Sequence, residues 1–427
     1  MPENIKYAGL LQRNFRKNRT IVSNDIEAFL ADIAQTAGAQ LTLHRFPSGS
    51  DIGTWVVPPR WDVRKARLRG PDGVEIASYT DHPLFVVPYS KPFTGTVSLD
   101  TLRRHTRTHP TLADAFYYEH RFAYNFPQRL SDWAITLPRR VLDALPPGDY
   151  HVELNFDIGD GEMLVGEFFL AGEREASIAL LTDYCHPGQV NDSFSGILAM
   201  LDVFHRLRQA PRRYSYRFFL FPETIGSAVL LHSVPAYVEN VKLAIFSEFV
   251  GWGRNWKVLG RQDPGSLTAK LGGEAQSHWT DLRFDDLFNG YGNDELIFDF
   301  VGIPSLSVQM TECDEYHSSL DAPELLCQDN LDRAADIIYR LCEVMERNDS
   351  FVLTQTVPFY MSRFNLYADA IGEHGTFVKN RAIIAALRQE TSILDIASKE
   401  KISFDYVAEY VGRLLEHGLV RRIAAHD

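Results

Sequence analysis

The stretch from Ile178 to Gly196 constrains this chain more than any other. An apolar run, Ile178-Ala179-Leu180-Leu181, ends at Thr182 and Asp183. A polar loop follows, Tyr184-Cys185-His186-Pro187-Gly188-Gln189-Val190-Asn191-Asp192, and Ser193-Phe194-Ser195-Gly196 opens a second apolar segment. That order reads as strand, loop and helix. It sets an imidazole and a carboxylate six residues apart just past a strand end, where an α/β sheet gathers ligands. If a second His and further carboxylates arrive from later loops, the chain implies a metal-dependent hydrolase.

The same alternation recurs from about 166 to 348. Apolar runs at Tyr216–Phe221, Leu243–Phe249 and Ser305–Gln309 are separated or followed by helical segments, notably Gly196–Arg208 and Gln328–Glu346. This predicts an α/β fold with a mostly parallel sheet and flanking helices. A helix is expected near 20–38, capped by Ser23-Asn24-Asp25, with Ile26, Phe29, Leu30 and Ile33 on one face. Residues 51–165 differ. Short apolar runs alternate with turn signals such as Gly70-Pro71-Asp72-Gly73 and Pro146-Pro147-Gly148-Asp149, which reads as an inserted β-rich domain. The α/β domain is then discontinuous, 1–50 and 166–350. The tail, 375–427, offers three short helical patterns and a strand at Gly418–Ile423, a winged-helix-like unit.

Charge narrows the functional classes. The 427 residues carry 43 Lys and Arg against 56 Asp and Glu, a net charge of −13, which argues against a broad basic nucleic-acid surface. The tail holds eight Lys/Arg and seven Asp/Glu, nearly neutral where a DNA reader carries a basic face, so packing or dimerisation is the favoured reading. Cys185, Cys313, Cys327 and Cys342 show no CxxC spacing, which fits a reducing, cytoplasmic setting. The N-terminus leads into no apolar signal segment, and no stretch is long and apolar enough to span a membrane.

Four regions hold the candidate chemistry: Asp183, His186 and Asp192; Pro222-Glu223-Thr224 after an apolar run; Glu248 in Ser247-Glu248-Phe249; and Gly292-Asn293-Asp294-Glu295 with Tyr316-His317-Ser318-Ser319-Leu320-Asp321. Strand carboxyl ends of an open parallel sheet converge on one crevice, so these residues can meet. Each also has an ordinary reading. A loop His is often a hydrogen-bonded surface group, and Glu223 can be a helix N-terminal charge. Asp294 can cap a helix, Glu248 can pair with an Arg, and Asp321 can brace the loop behind His317. Their common placement in loops of one domain strengthens the chemical reading.

At these loops the chain resembles the zinc-dependent exopeptidases of the co-catalytic aminopeptidase type. The likeness is to a subgroup with an inserted β-domain and a C-terminal winged helix. It rests on Cys185-His186-Pro187 with Asn191-Asp192-Ser193-Phe194-Ser195-Gly196, on Pro222–Ser227, on Gly292–Phe298, and on Gly302-Ile303-Pro304 with Tyr316–Asp321. Trp55-Val56-Val57-Pro58 and Tyr117-Tyr118-Glu119-His120-Arg121 resemble parts of the inserted domain. The resemblance implies one or two zinc ions, with His186, Asp192, Glu223 and His317 as ligands and Asp192 bridging if two bind. Glu248 falls where the family has an Asp ligand. Asp183, Asp294 and Asp321 are implied as groups that orient ligands. The chain departs at two positions. Pro222 stands where the wider family has a general-base Glu, and Asp183 stands where the subgroup has His.

The implied function is zinc-dependent hydrolysis of an amide or peptide bond. Metal-activated water attacks the carbonyl, and Glu223 or Glu248 carries the proton. The expected substrate is a small peptide or aminoacyl compound. Tyr117, Tyr118, Glu119 and Arg121 would line its cleft, with Glu119 on a free amine and Arg121 on a carboxylate, or with the two forming an ion pair. Pro222 favours an alternative, a catalytically inactive scaffold on the same fold. A regulator whose tail reads DNA is a third reading, against which the chain's acidity argues. A homo-oligomer fits the architecture.

Overall fold

A computed structural model describes residues 4–119 and 132–423. Its frame is an eight-stranded sheet. In chain order the strands are β1 (Leu41–Pro47), β2 (Glu162–Leu170), β3 (Ser177–Asp183), β4 (Ser215–Phe221), β5 (Val241–Ser247), β6 (Asn255–Gly260), β7 (Leu282–Asp286) and β8 (Ser305–Thr311). Their spatial order is β1-β2-β4-β3-β5-β8-β6-β7. The four central strands, β4, β3, β5 and β8, run parallel. β2 joins β4 antiparallel, β1 joins β2 antiparallel, and β6 joins β8 antiparallel. The sheet is therefore mixed, and the expectation of a mostly parallel sheet holds for its centre. β6 and β7 are short, and the sequence pattern singled out neither them nor β2.

The centre is buried on both faces, which is why β3 reads as an unbroken apolar run. Side-chain alternation splits it between two cores. Ile178, Leu180, Phe218, Leu243 and Ile245 face a layer made by the helices Ile26–Ala37, Phe194–Gln209 and Gln328–Arg347. Ala179, Leu181, Phe221, Ala244 and Phe246 face the opposite side, with Val229 and Leu230 of the helix Ile225–Ser233 and Phe298 of the helix Asp294–Phe300.

A second, antiparallel sheet extends that opposite core. It orders Glu75–Ser78, Arg60–Arg69, Asp149–Gly159 and Phe93–Ser98, and contributes Trp61, Leu68, Val152 and Leu154. At the chain's other end lie the helices His374–Ala386, Ile393–Glu400 and Phe404–Glu416 and the strand Val420–Ile423, which pairs antiparallel with Ser350–Leu353. The last two helices bury Leu394, Ile396, Phe404, Val407, Val411 and Leu414 in the first core. No helix among the described residues is long and apolar enough to cross a membrane.

Candidate metal and active site

Register places the first carboxylates. Leu181 of β3 lies opposite Phe246 of β5, and Asp183 lies opposite Phe221 of β4. Asp183 and Glu248 each follow those partners by two residues, so both project to the same face at neighbouring strand ends. Glu223 leaves the end of β4 beside them. The helix Phe194–Gln209 starts immediately after Asp192 and enters close to the sheet. A Cβ on Gly196 would lie 2.0 Å from the Ser247 carbonyl oxygen and 2.7 Å from Thr182 Oγ1, so only glycine admits that approach.

The four regions meet. His186 Nδ1 is 3.1 Å from Asp192 Oδ1 and 3.5 Å from Asp183 Oδ2, while Nε2 is 3.5 Å from Glu223 Oε2. His317 Nε2 is 3.3 Å from the other Asp192 oxygen. Three sets of potential ligand atoms lie within 4.8 Å of one another: His186, Asp192 and His317; Asp183, Asp192 and Glu248; and Asp183, Cys185, His186 and Glu223. Asp183, expected to orient a ligand, therefore lies in the cluster itself. It sits at the last residue of a fully buried strand, and a side chain there has no other place to point.

Asp321 and Asp294, also expected to orient ligands, both hold loop backbone. Asp321 accepts from three successive loop amides, Val190 (2.8 Å), Asn191 (2.7 Å) and Asp192 (3.1 Å). Asp294 accepts from the Thr224 amide at 3.1 Å and from the Ser227 hydroxyl, fixing the loop that carries Glu223. Asn293, whose role the sequence left open, donates its side-chain amide to Glu248. Backbone strain concentrates at this point. Thr224, Phe249 and His317 all adopt positive φ (59°, 50° and 54°), a costly conformation for residues with a Cβ.

The electrostatics are unbalanced. Burial pushes Asp192 up to about 8, offset in part by Arg19. Burial raises Asp183 and Glu248 well above the carboxylate range, with neighbouring carboxylates adding to both shifts. Asp294 and Asp321 rise to about 8 and Glu295 to about 7, again chiefly through burial. Glu248 Oε2 and Asp294 Oδ2 have no hydrogen-bond partner among the described residues. So many acids in one dry site need a cation or protons. The nitrogen and oxygen donor set fits zinc, and the carboxylate-only set fits a second divalent ion.

Two features have no local sequence signal. Arg19 is fully buried and donates to the carbonyls of Tyr184 (2.9 Å), His186 and Gln189 (3.0 Å), holding the whole metal loop. An aromatic wall forms as Tyr316 stacks on His317 at 3.8 Å and on Tyr291 at 5.0 Å. Tyr118 belongs to that wall. Its ring sits 5.1 Å from both His186 and His317, and its hydroxyl donates to the Cys185 carbonyl. Tyr117 bridges to Ser318 and packs edge-on against His109. Glu119 pairs with Arg107 at 3.0 Å, so its charge is met within the chain. Arg121 lies outside the described residues.

Comparison with known proteins gives a family and a fold. The family model described as "Domain of unknown function (DUF4910)" matches residues 8–348. A Clostridium acetobutylicum relative named "Putative polysaccharide biosynthesis protein with aminopeptidase-like domain" is 29% identical over 342 residues, 79% of this chain and 76% of the relative. A crystal structure of a "putative peptidase" from Clostridium acetobutylicum superposes with a TM-score of 0.84, covering 97% of this chain and 95% of that one at 23% identity. The Bacillus subtilis zinc aminopeptidase BSAP gives 0.50 at 14% identity, over 78% of this chain and 92% of its own. At these identities the two solved structures establish a shared aminopeptidase-like fold.

Proposed function

This chain belongs to the DUF4910 family, and we propose that it is a metal-dependent hydrolase of amide or peptide bonds, aminopeptidase-like in its chemistry. One observation carries the reading: His186 and His317 are both inserted among buried carboxylates at the carboxyl ends of parallel strands, within 3.5 Å of Asp183, Asp192 or Glu223. His186, Asp192, Glu223 and His317 would hold zinc. Zinc held there supplies a Lewis acid that polarises a carbonyl and brings the pKa of water toward neutrality.

The chain's own residues then divide the work. Glu223 accepts the proton from the attacking water and delivers it to the leaving amine. It suits that task because its side chain is 14% exposed, whereas Glu248 is 1% exposed and held by Asn293. Tyr118, edge-on to both imidazoles, keeps bulk water out, and with Tyr117 and Glu119 lines the approach for a small peptide or aminoacyl substrate. Asp321 and Asp294 hold the two loops in register.

The proposal extends to organisation. Residues 1–50 and 166–350 form the aminopeptidase-like unit, 51–165 an inserted β-rich domain, and 375–427 a winged-helix-like unit that packs on the first. Four free cysteines suit a reducing cytoplasm. Pro222 at the first position of the acidic loop favours a second reading, a metal-binding scaffold without turnover.

Zinc-loaded protein incubated with aminoacyl anilides and dipeptides tests the choice. Hydrolysis that stops on chelation and falls by about 10²–10⁴-fold in Glu223→Gln supports the hydrolase. Bound zinc with no turnover of any of these substrates supports the scaffold.

A further inference from the structure

His317 is placed differently from the acids around it. Asp183 ends β3, Glu223 lies two residues past β4, and Glu248 directly follows β5, so the sheet aims each of them. His317 lies six residues past the end of β8. It sits in a turn whose own bonds are local, from the Tyr316 amide to the Cys313 carbonyl (3.2 Å) and from the Ser318 hydroxyl to the Glu315 carbonyl (2.7 Å). Its backbone is nonetheless held at φ 54°, with Nε2 3.3 Å from Asp192. A residue with a Cβ keeps that conformation only where its surroundings impose it.

The β-rich segment 51–165 supplies those surroundings. The backbone angles of His317 relate the two peptide groups that flank it, and both of their carbonyls accept from that segment. The Tyr316 carbonyl accepts from His109 Nε2 at 3.1 Å, and the His317 carbonyl accepts from the Tyr118 amide at 2.8 Å. The direction of the first bond follows from its other end. His109 Nδ1 accepts from the amides of Thr111 (3.2 Å) and Leu112 (3.0 Å), so Nε2 carries the hydrogen. His109 is itself fixed: it is 6% exposed, and its carbonyl and that of Pro110 accept from Arg139 at 2.7 and 2.8 Å. Beyond His317 the clamp continues. The Ser319 amide donates to the Phe116 carbonyl at 3.0 Å, and the Phe116 amide donates to the Ser319 hydroxyl oxygen at 3.0 Å.

We propose that His109, with the Tyr118 amide, is a positioning residue for His317: the β-rich segment sets the backbone angles that aim this imidazole at Asp192. This rests on the metal-dependent reading above. It makes the segment part of the site's frame as well as a wall of its cleft. An imidazole aimed through its own main chain loses direction when one of those bonds is removed, although no donor atom has been touched.

The test uses full-length protein in two states. Metal-free protein is treated with diethyl pyrocarbonate, and modification of His317 is followed by peptide mass spectrometry. Zinc affinity is then measured by competition titration. His109→Ala should raise the modification rate of His317 several-fold and weaken zinc by about 10–100-fold, with the thermal midpoint reporting a folded chain. His109→Gln, whose side-chain amide supplies a donor where Nε2 stood, should restore most of both. His105→Ala is the contrast. It loses a bond of the same kind, to the Trp133 carbonyl at 2.8 Å, inside the segment, and should leave both readings at native values. The proposal is overturned if His109→Ala lowers the thermal midpoint without moving either reading, or if His105→Ala moves them as far. A native protein that takes up no zinc, with His317 reactivity still governed by His109, would instead break the hydrolase reading and leave the positioning of His317 standing.

Discussion

Two buried ionic clusters in this molecule invite comparison. One ties the C-terminal helices to the α/β unit. Arg340, 7% exposed, donates to Glu274 at 2.9 Å, to Glu343 at 2.8 Å and to Asp405 at 2.7 Å, and Arg347 reaches Asp405 at 2.8 Å. Glu274 also accepts from the Phe404 amide. The other cluster lies at the ends of the central strands. There Asp183, Asp192, Glu223, Glu248, Asp294, Glu295 and Asp321 collect around two imidazoles and one committed arginine. The first brings cations to its acids and links them through hydrogen bonds. In the second, acids outnumber cations, and six buried carboxylate oxygens, on Asp183, Asp192, Glu248, Asp294 and Glu295, have no hydrogen-bond partner among the described residues. Burying charge is therefore no mark of a functional site. An imbalance of buried charge, preserved by a rigid scaffold, is.

Substitutions can break or sharpen that contrast. The largest effect on stability is expected in the balanced cluster. Arg340→Met strands the buried Glu274 and should cost about 3–5 kcal/mol in denaturant unfolding. Metal content and any turnover per folded molecule should not change, and loss of metal in this variant would erase the distinction. Next comes Asp321→Asn. It weakens three amide contacts to the metal loop and should reduce zinc affinity by about 10–100-fold in a competition titration, with the fold retained.

A smaller effect follows from pH. Asp294 is held near 8 in the fold, against an unfolded value of 3.8. Between those values the unfolded chain has released the proton and the folded chain has not. Its contribution to the stability of metal-free protein must therefore fall as pH rises from about 4 to about 8. Asp294→Asn should flatten that slope, with a gain on the order of 1 kcal/mol at pH 8 and little change at pH 4. Thermal melts of metal-free protein at the two pH values check it. The smallest effect belongs to the surface. Arg254, 61% exposed and paired with Asp314 and Glu312, should change stability by less than about 0.5 kcal/mol when replaced by Ala.

How much of this was legible beforehand follows the same divide between local and distant causes. The strand, loop and helix around His186 were readable because β3 is buried on both faces and so is apolar along its length. His317, Glu223 and Glu248 were readable as residues, because each sits in a loop next to a recognisable strand or motif. Two features lay out of reach. Arg19 reaches the metal loop from 165 positions away along the chain. Glu119 pairs with Arg107, twelve positions earlier in the chain. The edge formed by β6 and β7, parallel to each other and antiparallel to β8, was missed for a related reason. Its strands are short, and β8, on which β6 pairs, comes later in the chain.

The central claim is that the unbalanced cluster exists to hold metal. Elemental analysis of the purified full-length protein, with His186→Ala and His317→Ala beside it, addresses that claim directly. The account predicts one or two equivalents of divalent metal including zinc, with the zinc lost in both variants while their thermal midpoints still report a folded chain. A native protein that stays metal-free after zinc is added back would contradict it, and so would zinc that survives both substitutions.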